Sequence, residues 1–394
     1  MDKQLITFNA GSSSVKIGFF AYDGEQIVKF SRGEIDLNGS PLTFRLRGEL
    51  CNLDIVLDTS GADEVAVIVE ELFSRLSTHT NLSRMLAVGH RVVFGGDQFI
   101  QPILVDDKHI NAIERLSGFA PLHQAKSVAL IKAIQRLFPH IKQTVSFDTA
   151  FHQTIPEVIR RFALPCEFHE RGLKRYGFHG LSYKSIIGSF SQKEPKLSVG
   201  RIVVAHLGSG ASLCAIEGGK SMDTSMSFST LDGIPMATRC GTLDPGLLLY
   251  FLQQENMLPD ALSDLLYHRS GLFGLSGISG DTRDLLESNA PQAREALEVF
   301  TLRIAGEIAR LVSTLGGLDA LIFTAGIGEH QPEIRASVCR RLSWLGIDLN
   351  TSANNRNAFR ITTNSSRAAA FVLATDEERI IAMETLQVVG NSSM

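Results

Sequence analysis

Residues 5–20 read LITFNAGSSSVKIGFF, two apolar runs on either side of a turn of small and hydroxyl-bearing residues. Residues 202–216, IVVAHLGSGASLCAI, repeat this arrangement. An apolar run on each side of a tight Gly- and Ser-rich turn is typical of a β-hairpin. We therefore predict a hairpin in each stretch. The repeat has two interpretations, which are two unrelated hairpins or a duplicated domain whose halves each present such a turn to a shared cleft.

The rest of the chain alternates between helical and extended patterns. Apolar residues recur every three or four positions in four segments, which predicts amphipathic helices at 63–76, 125–138, 294–315 and 377–388. Apolar runs at 318–325 and 369–374 predict strands. Since strands and helices alternate, the pattern favours an α/β fold. A length of 394 residues exceeds one typical domain and predicts two.

Composition excludes several classes of protein. With 38 basic and 42 acidic residues, the net charge of −4 disfavours a nucleic-acid binder. The five cysteines form no CxxC pair, so neither a zinc site nor a disulfide framework is indicated. The apolar run at residues 5–8 is too short for a signal peptide, and no run is long enough to span a membrane. We therefore expect a cytoplasmic protein.

Two glycine-containing segments are candidates for phosphate binding. In residues 9–16, NAGSSSVK, small residues let backbone N–H groups converge on an anion, and Lys16 adds charge. A plain turn has the same composition, and no Walker A loop occurs in the chain. The lone G-x-G of Gly326 and Gly328 is weak for a dinucleotide but favours a nucleotide phosphate at a strand–loop–helix junction.

Two arginines lie next to glycines, where a guanidinium can grip carboxylate or phosphate oxygens with two hydrogen bonds. Arg91 precedes a Gly-Gly turn, and Arg239 lies in a loop of small residues. A surface or ion-paired arginine is the alternative for each. Asp148 follows an apolar run, a common place for an active-site carboxylate. Glu377 opens a helix, where acids are favoured by the helix dipole, but such carboxylates also suit Mg²⁺.

Two histidines are candidates for a hydrogen-bond donor or an acid. His123 follows Pro121, and His179 lies between Phe178 and Gly180, so we expect both outside helices. Neither belongs to an H-x-x-x-H or H-E-x-x-H pattern, which disfavours zinc.

Eleven segments in a fixed order closely resemble the acetate kinase family. They are NAGSSSVK (9–16), GHRVVFGG (89–96), APLH (120–123), FDTAFHQTIP (147–156), YGFHGLS (176–182), AHLGSGAS (205–212), DTSMSF (223–228), TRCGTLDPG (238–246), SGLFGLSG (270–277), FTAGIGEH (323–330) and TDEERIIA (375–382). The resemblance covers nearly the whole chain, so an accidental match is excluded.

This resemblance implies a fold, a reaction and partners. The family belongs to the acetate-and-sugar-kinase, Hsp70 and actin superfamily, which implies two duplicated actin-like ATPase (ribonuclease H-like) α/β domains flanking an ATP cleft. The implied domains are 1–149 with the C-terminal helix 379–394, and 150–378. The implied reaction is the reversible transfer of the ATP γ-phosphoryl group to acetate, directly and in line, with Mg²⁺ or, as a substitute, Mn²⁺. A homodimer without nucleic-acid or membrane partners is also implied.

The resemblance also assigns roles to residues. The implied catalytic residues are Asp148, Arg91, Arg239, His179 and, in support, His123. The implied nucleotide-binding residues are Asn9, Ser12, Ser14, Lys16, His206, Gly208, Ser209, Gly210, Asp281, Arg283, Gly326 and Gly328. The acetate methyl group is expected against Val93, Leu122, Phe178 and Thr230, and Mg²⁺ near Asn9 and Glu377.

The chain departs from the family pattern in its substrate and nucleotide loops. Phe94 replaces His, Ser209 and His330 each replace Asn, and Thr230 replaces Pro. Ala237 and Thr242 change a loop that the family writes GTRSGD. These departures leave acid and nucleotide preference open. A propionate or other short-chain fatty acid kinase is the nearest alternative, and a non-kinase ATPase of the superfamily is another, although such an ATPase would not need both arginines.

Overall fold

The computed structural model describes residues 3–11, 14–37, 41–57, 65–76 and 84–391, without the side chains of residues 65, 66, 121 and 122. The chain divides into two compact units. Unit 1 comprises Met1–Phe151 and Asp376–Met394, and unit 2 comprises His152–Thr375. That the units are duplicated domains around a shared cleft, with bounds of 1–149 plus 379–394 and 150–378, stays a prediction.

Strands occur in both units. Those of unit 1 are β1 Lys3–Ala10, β2 Ser14–Tyr22, β3 Ile27–Asp36, β4 Thr43–Gly48, β5 Leu53–Val56, β6 Met85–Val92, β7 Ile103–Leu104 and β8 Lys142–Phe147. Those of unit 2 are β9 Arg201–Leu207, β10 Ala211–Glu217, β11 Lys220–Thr224, β12 Ala320–Thr324 and β13 Ala369–Val372.

Helices alternate with these strands. Unit 1 contains α1 Val65–Leu76, α2 Asp107–Arg115, α3 Pro121–Leu137 and α15 Glu377–Asn391. Unit 2 contains α4 Glu157–Arg160, α5 Cys166–Glu170, α6 Gly180–Lys193, α7 Pro245–Gln253, α8 Pro259–His268, α9 Gly271–Ser276, α10 Thr282–Glu287, α11 Pro291–Leu315, α12 Ala325–His330, α13 Pro332–Arg341 and α14 Thr351–Asn355. Short 3₁₀ helices cover Leu116–Phe119, Asp148–Thr154 and Ser343–Leu345.

Among the described residues, each unit contains one mixed sheet. The order in unit 1 is β5-β4-β3-β2-β1-β6-β8-β7, and in unit 2 it is β11-β10-β9-β12-β13. In both, an antiparallel meander continues into two strands that run parallel to its first strand; the meander has five strands in unit 1 and three in unit 2. The predicted α/β fold and both predicted hairpins, β1–β2 and β9–β10, are therefore confirmed.

A helix packs against each sheet. In unit 1, α15 lies against β1, β6 and β8, so the last described helix completes the unit that the first strand begins. Gly89 of β6 makes this approach possible, since a Cβ there would lie 2.3 Å from Thr385 Oγ1 and 2.7 Å from Ile381 Cγ2. In unit 2, the long helix α11 covers β9, β10 and β11.

Two expectations about local structure are wrong. His123 lies inside α3, because Pro121 occupies the first helical turn, where its missing N–H leaves no bond unmade. Gly326 and Gly328 lie in α12, which follows β12 directly where a loop was expected. There Glu329 Oε1 accepts a hydrogen bond from the N–H of Ala325 at 2.9 Å, which satisfies a donor at the helix start. Predicted helix and strand bounds otherwise shift by a few residues.

Candidate functional site

Arg91 and Asp148 form a buried ion pair in unit 1. Arg91 ends β6 and Asp148 follows β8; these are neighbouring parallel strands, so both side chains arise at one edge of the sheet. Arg91 Nε and Nη2 donate to the two carboxylate oxygens of Asp148 at 3.0 and 2.6 Å. Side-chain exposure is 10% for Arg91 and 1% for Asp148. This bidentate geometry fixes the plane of the guanidinium group.

Asn9, at the end of β1, connects this pair to the start of α15. Its Oδ1 accepts from Arg91 Nη1 at 2.9 Å, and its Nδ2 donates to Glu377 Oε2 and Glu378 Oε1, both at 2.8 Å. Burial alone would lower the pKa of Arg91, but the charges of Asp148 and Glu377 outweigh it and raise that pKa. The guanidinium group therefore stays charged throughout the physiological range.

Carboxylates outnumber cations around these residues, which we call the Arg91 cluster. The cluster consists of the cations Arg91 and Lys29 and the carboxylates Asp148, Asp376, Glu377 and Glu378. Its negative excess is what a divalent cation would offset. Within the described ranges, no three His, Cys, Asp or Glu side chains are grouped to hold a metal ion by themselves. Mg²⁺ usually takes one or two carboxylates and completes its shell with water and phosphate, so the cluster fits that ion.

The turn of the first hairpin begins at Gly11, whose N–H donates to the carbonyl of Ser14 at 2.8 Å. Ser14 is half-buried, and Lys16 is exposed and pairs with Asn9 across the hairpin. Ser12 lies outside the described residues. The predicted phosphate role of this turn stays a prediction.

In unit 2, His179 directly precedes α6 in a left-handed conformation, with a φ of 57°. Its Nδ1 is hydrogen-bonded to Ser212 Oγ at 2.8 Å. Its ring stacks on that of His206, with centroids 4.2 Å apart and planes inclined by 16°. A left-handed non-glycine residue is uncommon, and such residues cluster at functional sites.

The second hairpin turn lies beside these rings. The N–H of Gly208 donates to the carbonyl of Gly210 at 3.1 Å, which closes the turn around Ser209. A Cβ built on Gly210 would lie 3.5 Å from both Arg239 Nη2 and His179 Nε2. Two nitrogen groups therefore approach the same point of the turn. Arg239 is 8% exposed.

The predicted substrate-pocket residues lie in both units. Val93 and His123 are buried in unit 1, and Phe178 and Thr230 are buried in unit 2. The side chain of Leu122 lies outside the described part of the structure. The carbonyl of Thr230 accepts a hydrogen bond from Arg239 Nη1 at 3.0 Å, which holds the guanidinium group in place.

The predicted adenosine contacts lie in separate elements of unit 2. Asp281 caps the N-terminus of α10 and is paired with Arg283 through the backbone and the guanidinium group. Gly326 and Gly328 lie in α12, after the strand that pairs with β9.

Sequence reasoning missed one buried histidine. His152 Nε2 donates to the carbonyl of Phe178 at 2.9 Å, and Nδ1 lies 2.8 Å from Ser221 Oγ. Burial lowers its pKa to about 4, so the ring is neutral. Gly177 packs against it, with a φ of 89° and a Cβ position only 2.6 Å from the imidazole. The residue stands inside the motif at 147–156, but nothing in the sequence indicates its partners.

Sequence reasoning also missed the hydroxyl groups behind the stacked rings. Tyr183 Oη contacts Ser212 Oγ, and Ser182 Oγ contacts both His206 Nδ1 and Thr375 Oγ1. Ser182 and Tyr183 follow His179 on the first turn of α6, which was the only available signal.

Known proteins resemble the chain over its full length. The sequence profile of the Acetokinase family matches residues 4–383. An acetate kinase from Nitrobacter hamburgensis is 40% identical over 396 residues, covering 100% of this chain and 98% of that protein. A propionate kinase structure from Francisella tularensis superposes with a TM-score of 0.90 at 31% identity, covering 97% and 98% of the two chains. The acetate kinase structure from Porphyromonas gingivalis gives 0.86 at 31% identity, covering 98% and 100%. The predicted family is therefore confirmed, and the chain belongs to the acetokinase family.

Proposed function

We propose that this protein is an acetate kinase, which transfers the γ-phosphoryl group of ATP to the carboxylate of acetate and forms acetyl phosphate and ADP. Membership of the acetokinase family supports this activity. One geometric observation carries the mechanism: His179 Nε2 and Arg239 Nη2 both lie against the Gly208–Gly210 turn. Nitrogen donors beside a small-residue turn suit the oxygens of a phosphate group.

The acceptor needs little activation. Acetate is ionised at neutral pH, so the reaction requires that two anions be brought together rather than that a base remove a proton. Phosphoryl transfer depends mainly on positioning and charge neutralisation. Arg91 has five N–H donors, of which three bond to Asp148 and Asn9, and it is pre-oriented to hold an anion. We propose that Arg239 and His179 stabilise the charge on the phosphoryl group.

The Arg91 cluster is the proposed site for Mg²⁺. Glu377 and Asn9 would hold the ion, with Asp148 nearby, and its charge would neutralise phosphate oxygens. Asn9 Oδ1 bonds to Arg91 here, so the carboxylate of Glu377 is the stronger candidate ligand. We propose that Ser12, Ser14, Lys16, His206, Ser209, Asp281, Arg283 and the glycines of α12 contact ATP.

Acetate and propionate differ by one methylene group, which is worth about 1–3 kcal/mol in an apolar pocket. A propionate kinase is a close structural relative, so propionate is the second candidate. Val93 and Phe178 are buried and apolar. Acetate is preferred here because full-length acetate kinases are 40% and 44% identical to the chain, whereas the propionate kinase is 31% identical.

The test is a hydroxamate assay with ATP, Mg²⁺ and three acids at equal concentration. We expect kcat/KM to fall from acetate to propionate to butyrate. A higher value for propionate would overturn acetate as the preferred substrate and leave the kinase class standing. ATP hydrolysis without any acyl phosphate would contradict the kinase itself.

We also propose a homodimer. Helix α7 exposes four large apolar side chains, which are Leu247, Leu249, Tyr250 and Leu252. Large apolar side chains concentrated on one exposed helix indicate an interaction site. Within the described residues, no helix is long and apolar enough to cross a membrane. Light scattering on the native protein and on Leu249→Glu tests this, with loss of the dimer expected in the variant and no change in mass contradicting the role of α7.

A further inference from the structure

Two buried hydroxyl groups stand behind His179 on the side away from the Gly210 turn. Ser212 Oγ lies 2.8 Å from His179 Nδ1 and 2.5 Å from Tyr183 Oη. Ser212 and Tyr183 are both fully buried. They come from different elements, Ser212 from β10 and Tyr183 from the first turn of α6. Bulk solvent does not reach either hydroxyl group, so neighbouring protein groups set the direction of this hydrogen-bond chain.

The proton on Ser212 can be donated in only one direction. If Tyr183 donates to Ser212, then Ser212 donates to Nδ1 of His179, and a neutral imidazole carries its proton on Nε2. If the order is reversed, Nδ1 carries the proton, and a neutral ring presents only an acceptor at Nε2. An acceptor there would repel a phosphate oxygen, whereas an N–H would bind it. The direction of this hydrogen-bond chain therefore decides whether His179 can stabilise an anion.

The ring stacked on His179 opposes a positive charge on both rings at once. His206 is held from its own side, since Ser182 Oγ lies 2.8 Å from its Nδ1 and donates to Thr375 Oγ1 at 3.0 Å. Ser182 has a single proton, so its oxygen accepts from His206 Nδ1–H. If both stacked rings were protonated, two positive charges would face each other across 4.2 Å, and like charges at that distance repel strongly.

The other edge of His179 points toward the proposed reaction site. A Cβ on Gly210 would lie equally far, 3.5 Å, from His179 Nε2 and from Arg239 Nη2. A donor on Nε2 would thus work beside the guanidinium group, on the same anion. A preorganised donor in a water-excluded site is worth much more than one in water.

We propose that Tyr183 and Ser212 are positioning residues, which form a donor chain from Tyr183 through Ser212 to His179 and so hold the imidazole as an Nε2–H donor. This inference rests on the proposed function, because it gives His179 its role in phosphoryl transfer. Neither hydroxyl group touches a substrate. Both act only through His179.

The test is a double-mutant cycle of Tyr183→Phe with His179→Ala. In the native background, Tyr183→Phe is expected to lower kcat about tenfold, the effect of one lost hydrogen bond, with the KM values of acetate and ATP within twofold. In the His179→Ala background, the same change is expected to lower kcat less than twofold. Tyr176→Phe is the matched control, since that hydroxyl group donates to the carbonyl of Gly172 at 2.8 Å, outside this chain, and it is expected to leave kcat unchanged.

The possible outcomes separate the inference from the function on which it rests. Equal losses in both backgrounds would show a general structural effect and overturn the inference, as would full activity of Tyr183→Phe. If that variant unfolds, Ser212→Ala gives the same cycle with the same criteria. An unsubstituted enzyme that phosphorylates no carboxylate would instead overturn the proposed function.

Discussion

Each of the two sheets has a hairpin turn that opens with a glycine, but the strands before these turns are supported by opposite chemistry. Asn9 and His206 each stand two residues before the glycine that opens the turn, on the first strand of their meander. Asn9 is held by charged groups, Arg91, Glu377 and Glu378. His206 is held by the neutral hydroxyl of Ser182.

This difference predicts how each unit responds to a substitution that removes one partner. In unit 1, buried charges balance one another, so removal of one partner leaves an uncompensated charge. In unit 2, the contacts join neutral hydroxyl and imidazole groups, so the loss of one partner costs less free energy. There, the position of the proton on His179 decides whether the ring can donate a hydrogen bond to an anion. The site of unit 1 is therefore held by charge balance, whereas the site of unit 2 depends on the direction of its hydrogen bonds.

The largest expected effects follow removal of the two arginines. Arg91→Ala and Arg239→Ala are each expected to lower kcat by roughly two to four orders of magnitude, the range for lost transition-state electrostatics. Only Arg91→Ala should also destabilise the fold strongly, by about 3–5 kcal/mol, because it removes the positive charge that compensates the buried Asp148 carboxylate. The described partner of Arg239 is the uncharged carbonyl of Thr230, so Arg239→Ala leaves no buried carboxylate uncompensated at that contact. Steady-state kinetics and urea unfolding measure both quantities.

The matched control is the double variant Arg91→Ala with Asp148→Asn, which removes both charges. Stability should recover in large part while activity stays lost. A loss of less than tenfold in kcat for either folded arginine variant would refute its assigned role.

Removal of one carboxylate from the Arg91 cluster is expected to weaken Mg²⁺ binding. Glu377→Gln keeps an acceptor for Asn9 but removes a negative charge, so the Mg²⁺ concentration needed for half-maximal rate should rise about tenfold. Titration with Mg²⁺ measures this, and excess EDTA should abolish turnover in both proteins. Asp54→Asn, at an exposed pair with Arg47, is the control and should behave as the native protein does. An unchanged Mg²⁺ requirement in Glu377→Gln would exclude that glutamate as a ligand.

Sequence alone predicted the elements better than it predicted their contacts. Apolar spacing indicated α11 and α15, and the small-residue turns indicated both hairpins, because these signals are local. Motif resemblance named Arg91, Asp148 and His179. No local signal indicated that Tyr183 and Ser212 would meet, since their contact depends on how α6 packs beside β10.

Local patterns also misled where a neighbouring residue decides the outcome. His123 beside Pro121 suggested a loop, but proline in the first turn is compatible with a helix. Gly326 and Gly328 suggested a loop, but a helix begins there, and the Glu329 side chain accepts a hydrogen bond from the N–H of Ala325 at its start. Glycine and proline indicate where the backbone geometry changes. Which secondary structure follows depends on hydrogen-bond partners several residues away.

Among the described residues, His90 of unit 1 and His152 of unit 2 are fully buried, neutral histidines, which predicts that both units contribute to the pH dependence of stability. Burial lowers the pKa of His90, next to Gln143, and of His152 to about 4. In the unfolded chain both titrate near 6.5, so below that pH the unfolded state binds more protons, and stability falls as pH decreases from 6.5 toward 4. From pH 7 to pH 5 the loss is about 2 kcal/mol per histidine.

Urea unfolding across this pH range tests the shared dependence. His90→Gln and His152→Gln should each remove about one proton from the uptake on unfolding, and to the same extent. If only one variant changes the slope, the buried histidine of the other unit does not stay neutral.

The smallest expected effect concerns Thr230, which contacts the charged Arg239 through its carbonyl and also has a neutral hydroxyl group. Its carbonyl accepts from Arg239 Nη1, and its side chain lies near the hydroxyl group of Tyr267. Thr230→Pro keeps the carbonyl but removes the hydroxyl group and stiffens the backbone, so the KM of acetate should change by a few-fold while kcat stays within twofold, the pattern of altered uniform binding. Thr230→Val, which removes the hydroxyl group alone, separates the two causes. Kinetics with acetate and propionate measure both variants, and discrimination between the acids should stay roughly ten- to two-hundredfold. A tenfold loss of kcat with unchanged KM would mean instead that Thr230 acts on the transition state through Arg239, and the neutral support of unit 2 would then be as critical as the ion pair of unit 1.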